Sequence, residues 1–476
     1  MSEPESANVP SSSLGSLALP LSAMLLLAGA GPGGTPGGGL GQQDRPERKV
    51  EKTGGARSCS TAACHEAYAK LRIRHGPVVL GRCDVCHEPD EDSTPYESGD
   101  DHTFELVARD GRLCEQCHES QATEAHVHYP LKRSQCIACH EPHGSDNPAM
   151  LRRANIADNC FECHEQEVRD EPFLHAPVAI GACTACHDPH SSPHPWQLVA
   201  VGSELCLGCH TEKRKELATR RHVHRPVIED CGQCHDPHDG PDPARLRKRV
   251  PELCFGCHAN IAEKTAKSEV KHGALDQDRS CLHCHDPHAA GFSRLLRQTP
   301  ADLCLSCHDT PMLTETGMLP NMKSHLAANP EHHTPVRQGE CSACHEPHGS
   351  ANRRLLRRSY PEEFYAPFAV ERYQLCFSCH EKEKILVAET ETLTAFRNGK
   401  KNLHFVHVND PLKGRTCRAC HDVHASKSPK QIRSTVPYGS SWYYPLRFDL
   451  TASGGRCGPA CHKERRYDRL EAVEKQ

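Results

Sequence analysis

The chain has 476 residues, 30 cysteines, 36 histidines, a formal charge of −5 and only 5% aromatic residues, and its mean hydropathy is −0.65. A length that would ordinarily imply several globular domains is here too poor in large apolar side chains to build their cores in the usual way. The small net charge and the lack of a long basic block exclude nucleic acid, DNA included, as a partner.

In chain order, residues 1–30 read as a signal peptide. The stretch LGSLALPLSAMLLLAGA at 14–30 has the apolar run and small-residue end of one, although Glu3 and Glu5 precede it and the first basic residue is Arg45. As an uncleaved membrane anchor it would be short, and no cysteine precedes Cys59 to carry a lipid. Residues 31–57 form a Gly/Pro-rich linker, and 58–476 form one repetitive array.

Every cysteine of that array belongs to a pair followed at once by histidine. A lone wide unit comes first, Cys59, Cys64 and His65. Seven doubled units follow. They are Cys83, Cys86, His87 with Cys114, Cys117, His118; Cys136, Cys139, His140 with Cys160, Cys163, His164; Cys183, Cys186, His187 with Cys206, Cys209, His210; and Cys231, Cys234, His235 with Cys254, Cys257, His258. Then come Cys281, Cys284, His285 with Cys304, Cys307, His308; Cys341, Cys344, His345 with Cys376, Cys379, His380; and Cys417, Cys420, His421 with Cys457, Cys461, His462, the last again wide.

Cys-x-x-Cys-His is the pattern of c-type haem attachment. Each thiol forms a thioether with one vinyl arm of the porphyrin, and the adjacent imidazole is held beneath the iron. Structural zinc does not require histidine after every second cysteine. A disulfide framework would not choose tight pairs capped by histidine, and a thioredoxin-like site needs only one Cys-x-x-Cys on a βαβ background. The expected cofactor is therefore haem c, fifteen groups, covalently bound.

Further histidines recur with the period. Upstream of each first unit stand His75, His128, His175, His224, His272, His333 and His407. Pro-His steps three residues after a first unit supply His143, His190, His238, His288 and His348, with His424 in a Val-His variant. A histidine so close to a tethered imidazole cannot cross to the opposite face of the same porphyrin, but it can reach a neighbouring one. These histidines are read as distal ligands, giving bis-histidine irons throughout. The first repeat has Asp90 where its Pro-His histidine belongs, and His102 is the nearby substitute. His283, inside CLHCH, reads as a filler. Recurring arginines in LRR, RLRKR, LLRQ and LLRR suit porphyrin propionates or a solvated basic face.

With its CTACHDPH and LCLGCH pairing, the chain resembles multihaem c-type cytochromes of the doubled-CXXCH type from about residue 58 to 462. The resemblance implies haem chains that pass electrons in periplasmic carriers, outer-membrane porin–cytochrome conduits or extracellular filaments. Redox proteins, and an outer-membrane porin in the conduit case, would be the partners, and the location would be periplasmic, outer-membrane-associated or extracellular. The rival reading is an enzyme, a multihaem reductase of nitrogen or sulfur oxyanions, which needs one iron with an open axial position. No Cys-x-x-Cys-Lys unit is present and histidines are in surplus, which favours the conduit.

About 27 residues per unit are too few for separate cores. The expected fold is short α-helices and irregular chain wrapped around a haem array, with little or no β-sheet. One longer helix is expected over KEKILVAETETLTAFRNG, stopped at Asn398-Gly399.

Overall fold

The computed structural model describes residues 65–89, 103–109, 111–164, 171–314, 317–438, 442–459 and 462–474. The signal and linker segments, Cys59, Cys64, Asp90, His102 and Cys461 lie outside them.

Each first unit folds as a single 3-10 turn over its first three residues, as in Cys183–Ala185, Cys231–Gln233 and Cys341–Ala343. In the first six repeats the second unit begins at the end of a short α-helix, as in Gly202–Leu207 and Pro300–Leu305, whereas in the seventh Cys457 lies in a strand. Five upstream histidines (His75, His128, His175, His224 and His333) sit at the N-terminal edge of four- or five-residue helices whose first turn contains proline, such as Ala176–Ala179 and Arg225–Glu229. Proline is tolerated there because the first-turn N–H has no helical acceptor to lose.

Neighbouring repeats are clasped by two-residue antiparallel ladders. Residues just before an upstream histidine pair with residues just after the Pro-His step of the next repeat: Ile73–Arg74 with Gly144–Ser145, His126–Val127 with Ser191–Ser192, His222–Val223 with Ala289–Ala290, and Glu331–His332 with Ala425–Ser426. The same clasp joins the histidines by backbone. The N–H groups of His75, His128, His175, His224 and His333 donate to the carbonyls of His143, His190, His238, His288 and His424, at 2.8–3.2 Å. The side chain two residues after the Pro-His histidine is small and buried in the clasp (Ser192, Ala290, Ser350, Ser426).

Protein atoms alone make almost no core. Among the described residues thirteen hydrophobic side chains are buried and six of them are alanine. Beside the C-terminal repeats lies a continuous cavity of about 2780 Å³, lined by cysteines and histidines of the units from Cys304 onward. That is several times a single-ligand pocket, and close-packed interiors do not leave such space to side chains alone.

One expectation needs correction. The long helix over 382–399 does not form. Helix ends at Glu383–Leu386, after which the Thr390 hydroxyl accepts the N–H groups of Thr392 and Leu393, a local turn that competes with helix. Asn398 ends one strand of a hairpin, Arg397–Asn398 against Lys401–Asn402, and Gly399-Lys400 make its turn, with Gly399 at φ +54°. Glycine at the first turn position supplies that positive φ. At the C-terminal end a hairpin (Thr435–Tyr438 with Trp442–Pro445) precedes a three-stranded sheet of Arg447–Leu450, Gly454–Gly458 and Arg465–Asp468. A Cβ on Gly454 would collide with the carbonyl of Tyr467, so only glycine permits that close pairing.

Candidate haem-binding sites

Twelve of the unit histidines face a second imidazole across a gap of constant width. The second-unit rings pair with the upstream histidine of their own repeat: His118 with His75, His164 with His128, His210 with His175, His258 with His224, His308 with His272 and His380 with His333. The first-unit rings pair with the Pro-His or Val-His histidine of the following repeat: His87 with His143, His140 with His190, His187 with His238, His235 with His288, His285 with His348 and His345 with His424.

Ring centres in all twelve pairs are 5.9–6.3 Å apart and the planes are within 20° of parallel. Direct ring stacking would bring the centres closer. Two metal–nitrogen bonds of about 2 Å, plus about 1 Å from each nitrogen to its ring centre, require roughly 6 Å. The paired rings fit the two faces of a flat macrocycle with one iron between them.

Backbone carbonyls hold the rings in the matching tautomer. The first-unit imidazoles donate Nδ1–H to the carbonyl nine residues on: His140 to Ala149, His187 to Trp196, His235 to Ala244, His285 to Arg294, His345 to Arg354 and His421 to Lys430, at 2.7–2.9 Å. In five of these repeats the carbonyl is aimed by two successive left-handed residues, for example Arg354 (φ 56°) and Leu355 (φ 57°). Non-glycine residues adopt that conformation only where the surroundings enforce it. Upstream His128, His175 and His224 likewise donate Nδ1–H to Pro189, Pro237 and Pro287 at 2.9–3.0 Å. Nε2 is left free to bind metal, and the hydrogen bond makes it a better donor. Burial keeps several rings neutral. It pushes His404 and His424 down to about 4, helped by the rings facing them, His421 and His345.

The arginine twelve residues after a first-unit histidine has a third role beside the two considered above. Arg247, Arg297, Arg357 and Arg433 donate to the carbonyls of Gly232, Leu282, Ser342 and Arg418, inside the Cys-x-x-Cys turn. They brace the attachment turn.

Among the described residues, cysteines of successive units face one another from Cys86 to Cys417. Between repeats, first cysteines approach within hydrogen-bonding range: Cys114 with Cys136, Cys160 with Cys183, Cys206 with Cys231, Cys254 with Cys281, Cys304 with Cys341 and Cys376 with Cys417. Within repeats, second cysteines interact electrostatically, from Cys86 with Cys117 to Cys344 with Cys379. Burial, then the neighbouring thiol, pushes Cys160 up to about 11 and Cys206 up to about 12. The contacts order the attachment points as the sequence orders them, from His87 to His421.

The last repeat departs from the rule. His421 interacts with His404, whose Nδ1 bonds to Thr394 Oγ1 at 3.0 Å, and His407 interacts with His462 while donating Nδ1–H to Leu403 at 2.7 Å. Both rings come from one helix, Leu403–Val408, capped by Asn402. Asn402 is fully buried and satisfied, accepting from His404 and Phe405 and donating to Lys384 and Val387. His404 was missed in the sequence. The signal was there in LHFVHV, two histidines three apart on one helical face. His283 bonds the carbonyl of Asp278 and is not among the paired rings. His65 is described, but its cysteines are not, and by the exchange rule its facing ring would fall at Asp90.

The pattern of the doubled CXXCH motif family matches residues 75–123, 128–169, 175–215, 224–263, 272–313 and 333–385, more than half of the chain. The chain belongs to this family. It is a multihaem c-type cytochrome, and its six matched doubled motifs are haem c attachment sites. It is also 34% identical over 59 residues to the multiheme cytochrome MtrA of Shewanella baltica (strain OS185). That stretch covers 12% of this chain and 18% of the relative. The lone unit at Cys59 and the seventh repeat lie outside the family match.

Proposed function

We propose that the protein binds fifteen covalent haems, each between two imidazoles, and relays single electrons from one redox protein to another. The observation that carries this reading is the series of facing cysteines from Cys86 to Cys417 together with the twelve paired rings from His87 to His380. The bound groups would supply the reversible one-electron chemistry. This chain's cysteines would attach them in sequence order and its paired imidazoles would hold each one, with backbone carbonyls accepting Nδ1–H from the first-unit rings His140 to His421 and from His128, His175 and His224. An iron held between two imidazoles would have no place for a substrate to bind.

Covalent attachment of haem c takes place outside the cytoplasm, so the chain is exported. Its setting is the periplasm or the outer membrane, with an outer-membrane porin as one partner and the extracellular filament as the alternative assembly. Among the described residues no helix is long and apolar enough to cross a membrane. The second reading, a reductase of nitrogen or sulfur oxyanions, is favoured by one feature, Asp90 in the ligand register of the first haem.

Haem quantification together with spin state tests both readings. The relay predicts fifteen haems by intact mass, an entirely low-spin oxidised protein and no carbon monoxide adduct after reduction. A high-spin haem in the wild type would instead favour the reductase.

A further inference from the structure

Each distal histidine of a first-unit site belongs to a Cys-His-[Asp/Glu]-Pro-His step (Cys-His-Asp-Val-His at His424), and the acid faces the imidazole it precedes. Nδ1 of His143, His238, His288 and His348 lies 3.6–3.9 Å from Glu141, Asp236, Asp286 and Glu346. Asp188 and Asp422 also accept the backbone N–H of His190 and His424, at 2.8 and 3.1 Å. Holding that turn accounts for an oxygen there, and asparagine would serve equally. It does not account for how the charge is answered, which differs along the chain.

At the N-terminal end the carboxylates stand without a cation. Arg152 and Arg153 turn to Glu162 and leave Glu141 without a basic partner among the described residues. Beside Asp188 the bracing arginine is replaced by Val199, 53% exposed. Further on, Arg247 lies 3.3 Å from Asp236, whereas Lys213 is paired with Glu216 at 2.6 Å and stands beside the His288 ring rather than at Asp286. Lys264 and Arg357 lie 3.0 and 3.9 Å from Glu346, and Arg433 lies 3.7 Å from Asp422. The lysines come from the two nine-residue helices, Thr211–Thr219 and Ala259–Lys267.

We propose that this acid, and whether a cation answers it, sets the potential of the site on the preceding repeat, so that the two N-terminal first-unit sites lie lower in potential than those at His187–His238, His285–His348 and His345–His424. A carboxylate beside the imidazole N–H strengthens the ligand and favours the ferric state. A cation at the carboxylate removes that preference by screening it at close range. The His87–His143 and His140–His190 sites are therefore harder to reduce than those at His187–His238, His285–His348 and His345–His424. At partial reduction, electrons shared among these five sites collect at the last three, with iron the only species reduced or oxidised.

The proposal rests on the bis-histidine haem reading, and a spectroscopic control separates the two. Full-length holoprotein is titrated by optical spectroelectrochemistry as wild type, Asp188→Asn, Val199→Arg, and Lys264→Gln with Arg357→Gln. Asparagine keeps the acceptor for the His190 N–H, and Val199 is exposed, so neither change threatens the fold. The first two variants should each move about one-fifteenth of the amplitude upward out of the low end of the curve. The double variant should move a similar share downward from the upper part. Curves superimposable on wild type, or shifts of opposite sign, overturn the proposal. Near-infrared magnetic circular dichroism of the same samples must show the bis-imidazole band; its absence would sink the haem reading itself.

Discussion

The middle repeats and the last repeat solve one problem in two ways. From His128 to His348 each first-unit ring is met by a histidine from the following repeat, and the clasp that brings it also joins the two backbones. At the C-terminal end the rings for His421 and His462 both come from an insertion, the Asn402-capped helix, packed on a three-stranded sheet by Asn398 and Arg397. Asn398 bonds Val473 and Asp468, and Arg397 bonds Arg469. In the middle, ligation and chain structure are the same interactions. At the end, protein hydrogen bonds carry structure that ligation does not have to.

The largest consequence concerns attachment. Replacing Cys254 and Cys257 by serine in the middle should prevent accumulation of folded protein, because the fold there has no other core. The same change at Cys457 and Cys461 should leave a soluble protein one haem short by intact mass, since the sheet keeps its own pairing. Equal yields for the two variants would mean that the middle repeats hold together without their cofactor, and the contrast would collapse.

Ligand removal is a smaller and more local break. His404→Ala should convert one low-spin haem to a high-spin form that binds carbon monoxide when reduced, as His288→Ala should in the middle. His283→Ala should not, because that ring serves a backbone carbonyl. A silent His404→Ala would return the ligand of His421 to an unassigned ring. At the N-terminal end, His102→Ala should likewise create one high-spin haem against a fully low-spin wild type. A variant indistinguishable from wild type would remove His102 as the substitute for the histidine missing at Asp90.

The sequence carried the units, their pairing into repeats and the histidine classes, because covalent attachment fixes residue types at fixed spacing. It also carried the idea that a Pro-His ring serves a neighbour. Which neighbour was not legible: the choice depends on a two-residue clasp whose sequences (IR with GS, HV with AA) carry no strand signal of their own. The C-terminal insertion misled for a different reason. KEKILVAETETLTAFRNG has helical spacing, but its alternate threonines offer the backbone a competing turn, and the buried Asn402 that holds the region is an ordinary polar residue until its four partners are seen.

The smallest expected effect separates the two regions by pH. In the middle, the helix Ala259–Lys267 docks on the repeat after next through Lys264 and Glu346, a pair with no group that ordinarily titrates between pH 6 and 9. In the later, longer gap the helix Met322–Ala328 makes the corresponding contact through His325, 3.6 Å from Asp422. The hydrogen bond to Asp422 raises His325 above its ordinary value of 6.5, against the opposing effect of burial. Burial alone would lift Asp422, but His325, the His424 N–H and Arg433 hold it down to about 2. A histidine raised in the folded state stabilises fully below its unfolded pKa, and that contribution is lost as pH climbs through the raised value. The carboxylate stays ionised across this window, so only the imidazole changes. Amide exchange across 322–328, corrected for intrinsic rates, should therefore quicken several-fold between pH 6 and 9, while exchange across 259–267 should not. Equal pH dependence in the two helices would show that His325 adds nothing to docking, and His325→Lys should make the later helix behave like the middle one.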